Sequence, residues 1–342
     1  MIPLSVLDLA TVASGSTPAE ALTDTIKMAT VVEQLGYNRM WVAEHHGMPA
    51  VASSAPAVLI AHLAQATTTL RVGSGGVMLP NHSPLVIAEQ FATLEALHPG
   101  RIDLGLGRAP GTDQVTARAL RRVQQPGGRD AADTFPDDVV ELIQYLLPRE
   151  GAPGHPAAVP GSGYLPEVWL LGSSLFSAQL AGMIGLPFSF AYHFAPQLLD
   201  SALETYRSNF RPSILHDEPR AMVAVTVLCA PTEEEARWLS GSSALSTLHL
   251  RTGRLGPVPT PEDAEAYPFT EAERAIVEDS MSSHLIGTPE TVLEGMIRLQ
   301  ERTQADELMI STRIHSYEAR VQSLRLVAEA WGLEPRSVAV AG

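Results

Sequence analysis

A carboxylate and two histidines stand together where an apolar run ends near the N-terminus. Residues 41–47 read Trp-Val-Ala-Glu-His-His-Gly, so the apolar side chains stop at Glu44 and are followed by His45 and His46. In a barrel of parallel strands such a change marks a strand end, where catalytic groups collect. A histidine exchanges a proton near neutral pH, and a carboxylate beside it can set its tautomer. The segment predicts an acid/base centre or a metal site.

Metal binding is the main alternative for these histidines. A zinc site needs further ligands at suitable spacing, and the sequence lacks the H-E-x-x-H pattern of zinc proteases. His82, His193 and His315 are further histidines that can reach the same mouth, and His193 and His315 are also candidates for a substrate pocket. The residues alone therefore leave a metal hydrolase open.

A glycine-rich segment, Gly73-Ser74-Gly75-Gly76, ends another predicted strand. Glycine tolerates unusual backbone dihedrals and lets a flat ring approach the chain closely, although a tightly packed rim needs the same glycines for packing alone. The segment lacks the strand-to-helix G-x-G-x-x-G form, so a nicotinamide-binding Rossmann domain is not supported.

A Gly-Ser-Ser turn at 172–174 opens a predicted helix. The free amides of its first turn and the helix dipole form a natural phosphate seat. Ser174 and Ser177 add hydroxyl donors, and Arg108 supplies the countercharge. The alternative is that Ser173 is only an N-cap and Arg108 belongs to a surface ion pair. The residues leave both interpretations open.

Short apolar runs alternate along the chain with amphipathic helical stretches, as in βα units around a parallel sheet. The predicted strands are 3–7, 39–43, 70–77, 102–106, 168–171, 187–191, 221–229 and 307–310. The predicted helices are 18–35, 55–66, 85–97, 136–147, 174–184, 196–210, 289–303 and 317–331. We therefore expect a TIM (β/α)8 barrel in one domain, residues 1–342, because a barrel of about 250 residues with insertions uses this length.

Three segments depart from the repeat. Residues 124–130 and 149–163 are rich in glycine and proline, which indicates surface excursions. Residues 232–287 form the largest insertion, after the seventh strand. Because loops that follow barrel strands stand at the active-site mouth, this insertion is a candidate lid.

Composition restricts partners and compartment. The chain has 38 acidic and 23 basic residues and a net charge of −15, which disfavours nucleic acid as a partner. Apolar runs fall short of the roughly 18 residues that a membrane helix needs. The N-terminus resembles a first strand rather than a signal peptide, so the cytoplasm is the expected location. The single cysteine, Cys229, is expected to be a buried strand residue.

Four segments together resemble one known family. They are WVAEHH at 41–46, VGSGGVMLPNHSP at 72–84, EALHPGRIDLGLGR at 95–108 and LIGTPE at 285–290. With them the chain resembles the bacterial luciferase-like, flavin-dependent monooxygenases over essentially its full length, and most closely the alkanal-monooxygenase-like subgroup.

The resemblance implies a homodimeric TIM barrel that binds reduced FMN at its C-terminal rim, with no metal. His45 matches the active-site histidine, which assists oxygen activation and proton transfer. Gly75 and Gly76 match a non-proline cis peptide against the flavin ring. The phosphate site is implied at two arginines and the Gly-Ser-Ser turn, namely Arg108, Arg118, Ser173, Ser174 and Ser177.

The implied reaction is oxidation of a small organic substrate by FMNH2 and O2 through a flavin hydroperoxide. A recognisable nicotinamide site is lacking, so a separate NAD(P)H:flavin reductase is expected to supply the reduced flavin. Gly107 stands where luciferase has a cysteine, which puts light emission in doubt. The alternatives are a deazaflavin-dependent oxidoreductase that transfers hydride and a non-catalytic flavin-binding protein.

Overall fold

Nine parallel strands form one sheet in the described part of the chain, and eight of them close into a barrel. The computed structural model describes residues 1–109, 111–120, 131–148 and 156–336. The strands are β1 (Leu4–Asp8), β2 (Arg39–Val42), β3 (Arg71–Met78), β4 (Ile102–Gly107), β5 (Glu167–Gly172), β6 (Phe188–Ala191), β7 (Ala221–Cys229), β8 (Leu285–Gly287) and β9 (Glu307–Ser311). The barrel runs from β1 to β7 and returns through β9 to β1. The predicted TIM barrel is confirmed, and each predicted strand matches a barrel strand to within one residue at either end.

The described residues contain twelve helices, and most of them cover the outside of the barrel. They are α1 (Pro18–Gln34), α2 (Pro56–Ala66), α3 (Pro84–Leu97), α4 (Gln114–Leu120), α5 (Ala131–Leu146), α6 (Leu175–Ile184), α7 (Leu199–Asn209), α8 (Glu233–Arg251), α9 (Pro261–Ala266), α10 (Glu271–Met281), α11 (Pro289–Thr303) and α12 (Tyr317–Trp331). Helix α5 begins five residues before the predicted start at Pro136, which therefore lies inside the helix. The predicted helix 196–210 is divided into a 3-10 turn at Pro196–Leu198 and α7.

Local capping explains where several helices begin and end. The Thr17 hydroxyl accepts from the backbone amide of Glu20, whose carboxylate accepts from the Thr17 amide in return. The Thr288 hydroxyl accepts from the backbone amide of Thr291 at the start of α11, which has a proline in its first turn. Gly332 ends α12 in the left-handed region, at φ +73°. These signals confirm the predicted helix ends.

Two apolar layers hold the barrel together. The larger layer lies between the strands and the surrounding helices. The smaller one fills the inside of the barrel with Trp41, Trp169, Met222 and Met309, which are almost completely buried. Because side chains of a strand alternate between its two faces, the short strands supply both layers.

Buried charges fill the N-terminal end of the barrel. Arg39 is 1% exposed and contacts Asp103 at 2.8 Å and Glu307 at 2.9 Å. Arg71 and Arg220 pair with the same carboxylates and with Glu167; the Arg71–Asp103 distance is 2.5 Å and the Arg220–Glu167 distance 2.7 Å. The charged groups at this end are therefore satisfied by one another, which directs attention to the opposite rim for chemistry.

The segment 232–287 contains α8, α9 and α10 and lies at the C-terminal rim. Its helices enclose a small apolar cluster built around Leu245 and Leu248. Val258 ties it to the loop after β1, because its amide donates to the carbonyl of Val12 at 2.9 Å. The strand β8, which pairs with the C-terminal end of β7, ends the segment. Its role as a lid stays a prediction.

The two glycine- and proline-rich segments and the single cysteine were also predicted from the sequence. The predicted excursion 124–130 lies outside the described residues, as does 149–155. Residues 159–163 form turns, and the Gly163 amide donates to the carbonyl of Leu146 at 3.2 Å. Cys229 is buried in β7 as predicted, and burial raises the pKa of its thiol to about 12. Within the described ranges, no helix is long and apolar enough to cross a bilayer.

Candidate active site

His45 lies just beyond β2 and is held from both its backbone and its ring. Its amide donates to the carbonyl of Ser53 at 2.9 Å, and its ring Nδ1 lies 3.2 Å from the carbonyl oxygen of Gly111. A carbonyl only accepts, so Nδ1 carries the proton and Nε2 keeps a lone pair. Burial lowers the pKa of His45, and Arg313 acts in the same direction. His45 is therefore a neutral imidazole with a basic Nε2.

Glu44 binds the neighbouring histidine instead of His45. Its Oε1 accepts from His46 at 2.9 Å and from His82 at 2.8 Å, while its Oε2 accepts from the Met78 amide at 3.0 Å. Of the two histidines beside it, Glu44 contacts His46 and does not set the tautomer of His45, because successive side chains of an extended segment point to opposite sides. Gly111 does so instead.

The Glu44 carboxylate is fully buried and stays ionised. Burial raises its pKa, but the hydrogen bonds from His82 and His46 and from the Met78 amide outweigh burial and lower the pKa. Glu44 thus fixes two imidazoles and the end of β3 in place. Metal ligation offers no better account, since within the described residues no three His, Cys, Asp or Glu side chains are grouped to hold an ion.

The Gly75–Gly76 peptide bond is cis, as the resemblance implies. The register of β3 against β4 shifts at this point. A Cβ on Gly75 would lie 2.8 Å from the Leu7 side chain, and one on Gly76 would lie 2.8 Å from the carbonyl oxygen of Gly105. The protein's own atoms therefore demand glycine here, and the role of the two residues as a ring platform stays a prediction.

Arg108 reaches the first turn of α6, as the sequence predicts. Its guanidinium lies 4.2 Å from the centre of the Phe176 ring. Ser177, in the same turn, is buried against Gly172. The N-cap is Ser174, whose hydroxyl makes no capping hydrogen bond, so the alternative that Ser173 is the N-cap is wrong.

Two features make this turn suitable for an anion. The first amides of α6 lack helical partners, which is general for helix N-termini. Within the described residues Arg108 forms no ion pair, and the surface-pair alternative therefore gains no support there. Arg118 lies on α4 and is exposed, without a described contact to this turn. Its phosphate role stays a prediction.

The two histidines predicted for a substrate pocket lie at different places on the rim. His193 follows β6, and its Nδ1 lies 3.0 Å from the carbonyl oxygen of Ala224. Burial lowers the pKa of His193 to about 4. His315 contacts the loop after β1, with its Nε2 3.1 Å from the carbonyl oxygen of Ser14.

Sequence reasoning missed two residues of this rim. Arg313 follows β9 by two residues and lowers the pKa of His45, His193 and His284. His284 precedes β8, and burial, with His193 and Arg313, lowers its pKa to about 4. Arg313 lies three residues beyond the predicted strand 307–310, so a search of the residues that follow each strand would have found it.

The family model and the similar sequences indicate the same family. A family model described as luciferase-like monooxygenase matches residues 2–306. The chain is 47% identical over 328 residues to a luciferase-like monooxygenase of Escherichia coli (strain K12), covering 96% of each protein. It is 35% identical to N-acetyl-S-alkylcysteine monooxygenase of Bacillus subtilis (strain 168), covering 96% of this chain and 98% of the relative.

Solved structures share the architecture. Apo-MsnO8 superposes with a TM-score of 0.89 at 36% identity, covering 98% of this chain and all of the other. The oxygenating constituent of 3,6-diketocamphane monooxygenase from Pseudomonas putida, in complex with FMN, has a TM-score of 0.72 at 20% identity, and the match covers 96% of this chain and 97% of the other. An F420-dependent secondary alcohol dehydrogenase has a TM-score of 0.69 at 14% identity, and the match covers 96% of this chain and 98% of the other. The last two likenesses concern the fold alone.

Proposed function

The chain belongs to the luciferase-like monooxygenase family, and from this premise we propose that it is an FMN-dependent monooxygenase that uses FMNH2 and O2 to oxidise a small organic substrate. The carrying observation is that Arg108 meets the first turn of α6 at the same barrel end as His45. A fold relative binds FMN and a relative at 35% identity is a monooxygenase, which supports both parts of the proposal.

The residues present fit FMN. The free amides of α6, with Arg108, Ser174 and Ser177, suit a phosphate, which prefers helix N-termini and arginine. Gly75 and Gly76 present no side chain, so a flat ring can approach β3. Bound reduced flavin would supply the electrons with which O2 is activated.

His45 performs the proton transfer in this proposal. The Gly111 carbonyl holds the proton on Nδ1, so Nε2 can accept a proton from a reacting group and return it. The low pKa of the ring keeps it neutral and ready to accept. The rim and the segment 232–287 would exclude water from this exchange, which strengthens each polar contact.

Flavin titration tests the proposal. We expect purified protein to bind photoreduced FMN, Arg108→Ala to weaken binding by about tenfold or more, and Arg251→Ala, an exposed control, to leave it unchanged. Binding neither oxidised nor reduced FMN would refute it. Preference for F420 without oxygen consumption would favour a deazaflavin enzyme, whereas FMN binding with oxygen reactivity unchanged in His45→Ala would favour a non-catalytic flavin protein.

We also propose two partners. A separate NAD(P)H:flavin reductase would supply the flavin, so NADH oxidation is expected only when a reductase is added. A second copy of the chain would cover α2 and α3, which expose the apolar side chains of Val58, Val86 and Leu97. Analytical ultracentrifugation is expected to show a dimer, which Leu97→Asp shifts to monomer; a monomeric wild type would contradict this.

A further inference from the structure

Arg313 is a cation without a described counter-charge. It lies two residues beyond β9 at the barrel mouth and is only partly buried, so a ligand can reach it. Within the described residues it makes no hydrogen bond or ion pair, and burial lowers its pKa without an opposing carboxylate. Partly desolvated arginines are normally paired with an anionic group, so this position suits an anionic ligand.

The titratable groups around Arg313 do not supply that anion. His45, His193 and His284 all feel its charge. Burial keeps the three rings neutral near pH 7, and the Nδ1 atom of His284 is buried without a partner. The mouth therefore combines one fixed positive charge with polar atoms that lack partners.

The helix α8 adds hydroxyl groups on the same side. A narrow cleft lies between α8 and residues 48–51, and Arg313, Ser246 and Leu250 line it. Ser243 precedes these by three and seven residues, so it continues the same helix face. Its hydroxyl is buried without a hydrogen-bond partner, as is that of Ser242. A polar ligand in the cleft would satisfy these groups.

The position of Arg313 separates it from the proposed phosphate seat. Arg108 follows β4 and Arg313 follows β9, and these strands are four places apart in either direction around the eight-stranded barrel. The two arginines thus stand on opposite sides of the mouth. One FMN phosphate cannot occupy both sites.

We propose that Arg313, with the hydroxyls of Ser243 and Ser246, binds a carboxylate of the organic substrate. A guanidinium presents two parallel N–H donors that match the two oxygens of a carboxylate. The substrate is then a small carboxylic acid whose anionic end points away from the phosphate seat, toward α8. This rests on the proposed flavin site, which would hold the reacting group at the centre of the mouth.

Calorimetric titration of FMN-loaded protein with hexanoate and with hexanamide tests the inference, because the pair differ in charge but share a chain. We expect hexanoate to bind at least about tenfold more tightly than the amide. Arg313→Gln should abolish that preference, Arg313→Lys should retain part of it, and Arg251→Gln, an exposed cation at the end of α8, should preserve it.

Flavin fluorescence on each variant separates the two proposals. Failure of the wild-type protein to bind FMN would overturn the proposed function itself. Two results with normal FMN binding would overturn the carboxylate site alone. One is equal affinity of the wild type for hexanoate and hexanamide, and the other is an unchanged preference for hexanoate in Arg313→Gln. If Arg313→Gln fails to fold, Ser243→Ala replaces it, with a weakened hexanoate preference expected and an unchanged one counting against the site.

Discussion

At the residue scale, Glu44 shows how a buried carboxylate organises its neighbours. Both of its oxygens accept hydrogen bonds, one from two imidazoles and the other from the Met78 amide. An amide side chain cannot reproduce this, because its nitrogen donates. In Glu44→Gln the side-chain nitrogen, which donates, therefore faces one of the groups that donate to Glu44.

We expect Glu44→Gln to lose about 2 kcal/mol of unfolding free energy. Urea denaturation measures the loss, and Glu204→Gln, an exposed substitution on α7, should change stability little. Oxygen-dependent turnover should fall as well, since the neighbouring His45 segment loses its anchor. Equal stabilities of the two variants would show that Glu44 does not hold this corner.

His193 gives a prediction about pH. Its folded pKa of about 4 lies below the ordinary value of 6.5. When the pH falls below 6.5 the unfolded chain takes up a proton that the folded chain refuses, so stability is complete above 6.5 and is lost toward pH 4. The wild type should lose roughly 2 kcal/mol more than His193→Asn between pH 6.5 and 4.5.

Chemical denaturation at several pH values measures this difference. His62→Asn replaces an exposed histidine on α2 and should retain the wild-type slope. Parallel pH profiles for the wild type and His193→Asn would show that His193 is accessible to protons in the folded state.

At the element scale, the end of β3 packs so closely against its neighbours that it has no room for side chains. A Cβ on Gly76 meets the Gly105 carbonyl oxygen of β4 at 2.8 Å, and backbone in the middle of a barrel cannot move aside. Gly76→Ala should therefore cost about 1 to 3 kcal/mol of stability. Gly256→Ala has open space and ordinary backbone angles, so it should be neutral. Thermal unfolding distinguishes them, and equal melting temperatures would contradict the clash.

The elements of the barrel were predictable because their signals are local. Apolar runs such as β7 and capping sequences such as Thr288-Pro289 fix an element within a few residues. The helix α4 and the strand β8 were not predicted, since seven and three residues carry too little periodicity. The helices of the segment 232–287 were not predicted one by one, because α9 and α10 pack on α8 instead of forming a further βα unit.

Site residues were predictable to the extent that they follow strand ends. Arg108 meets the first turn of α6 at Phe176, as expected, because β4 and β5 are neighbours in the barrel. The partner of His45 was not predictable, since Gly111 contributes a backbone carbonyl from a loop 66 residues away. A side chain has a sequence signal, whereas a carbonyl oxygen has none. Arg313 was missed because its importance rests on having no ion-pair partner among the described residues, and a sequence does not show ion pairs.

At the scale of the whole molecule, the barrel separates stability from function by its two ends. The N-terminal end contains three arginines and three carboxylates that pair with one another: Arg39, Arg71, Arg220, Asp103, Glu167 and Glu307. The C-terminal rim instead contains Arg108 and Arg313, for which no ion pair with a described residue is found. The arginines at the N-terminal end are compensated within the fold, whereas arginines without a described partner are candidates for ligand binding.

Arg39→Met tests this separation. The substitution preserves much of the side-chain volume but leaves Asp103 and Glu307 buried with one cation fewer, and breaking a buried pair in this way costs about 3 kcal/mol or more. Arg298→Met, which breaks an exposed pair with Glu294 on α11, should cost less than about 1 kcal/mol. Guanidinium unfolding compares the two.

Because Arg39 lies at the far end from the rim, the FMN affinity of the folded Arg39→Met protein should remain that of the wild type. A selective loss of FMN binding at full stability would show that the two ends are coupled.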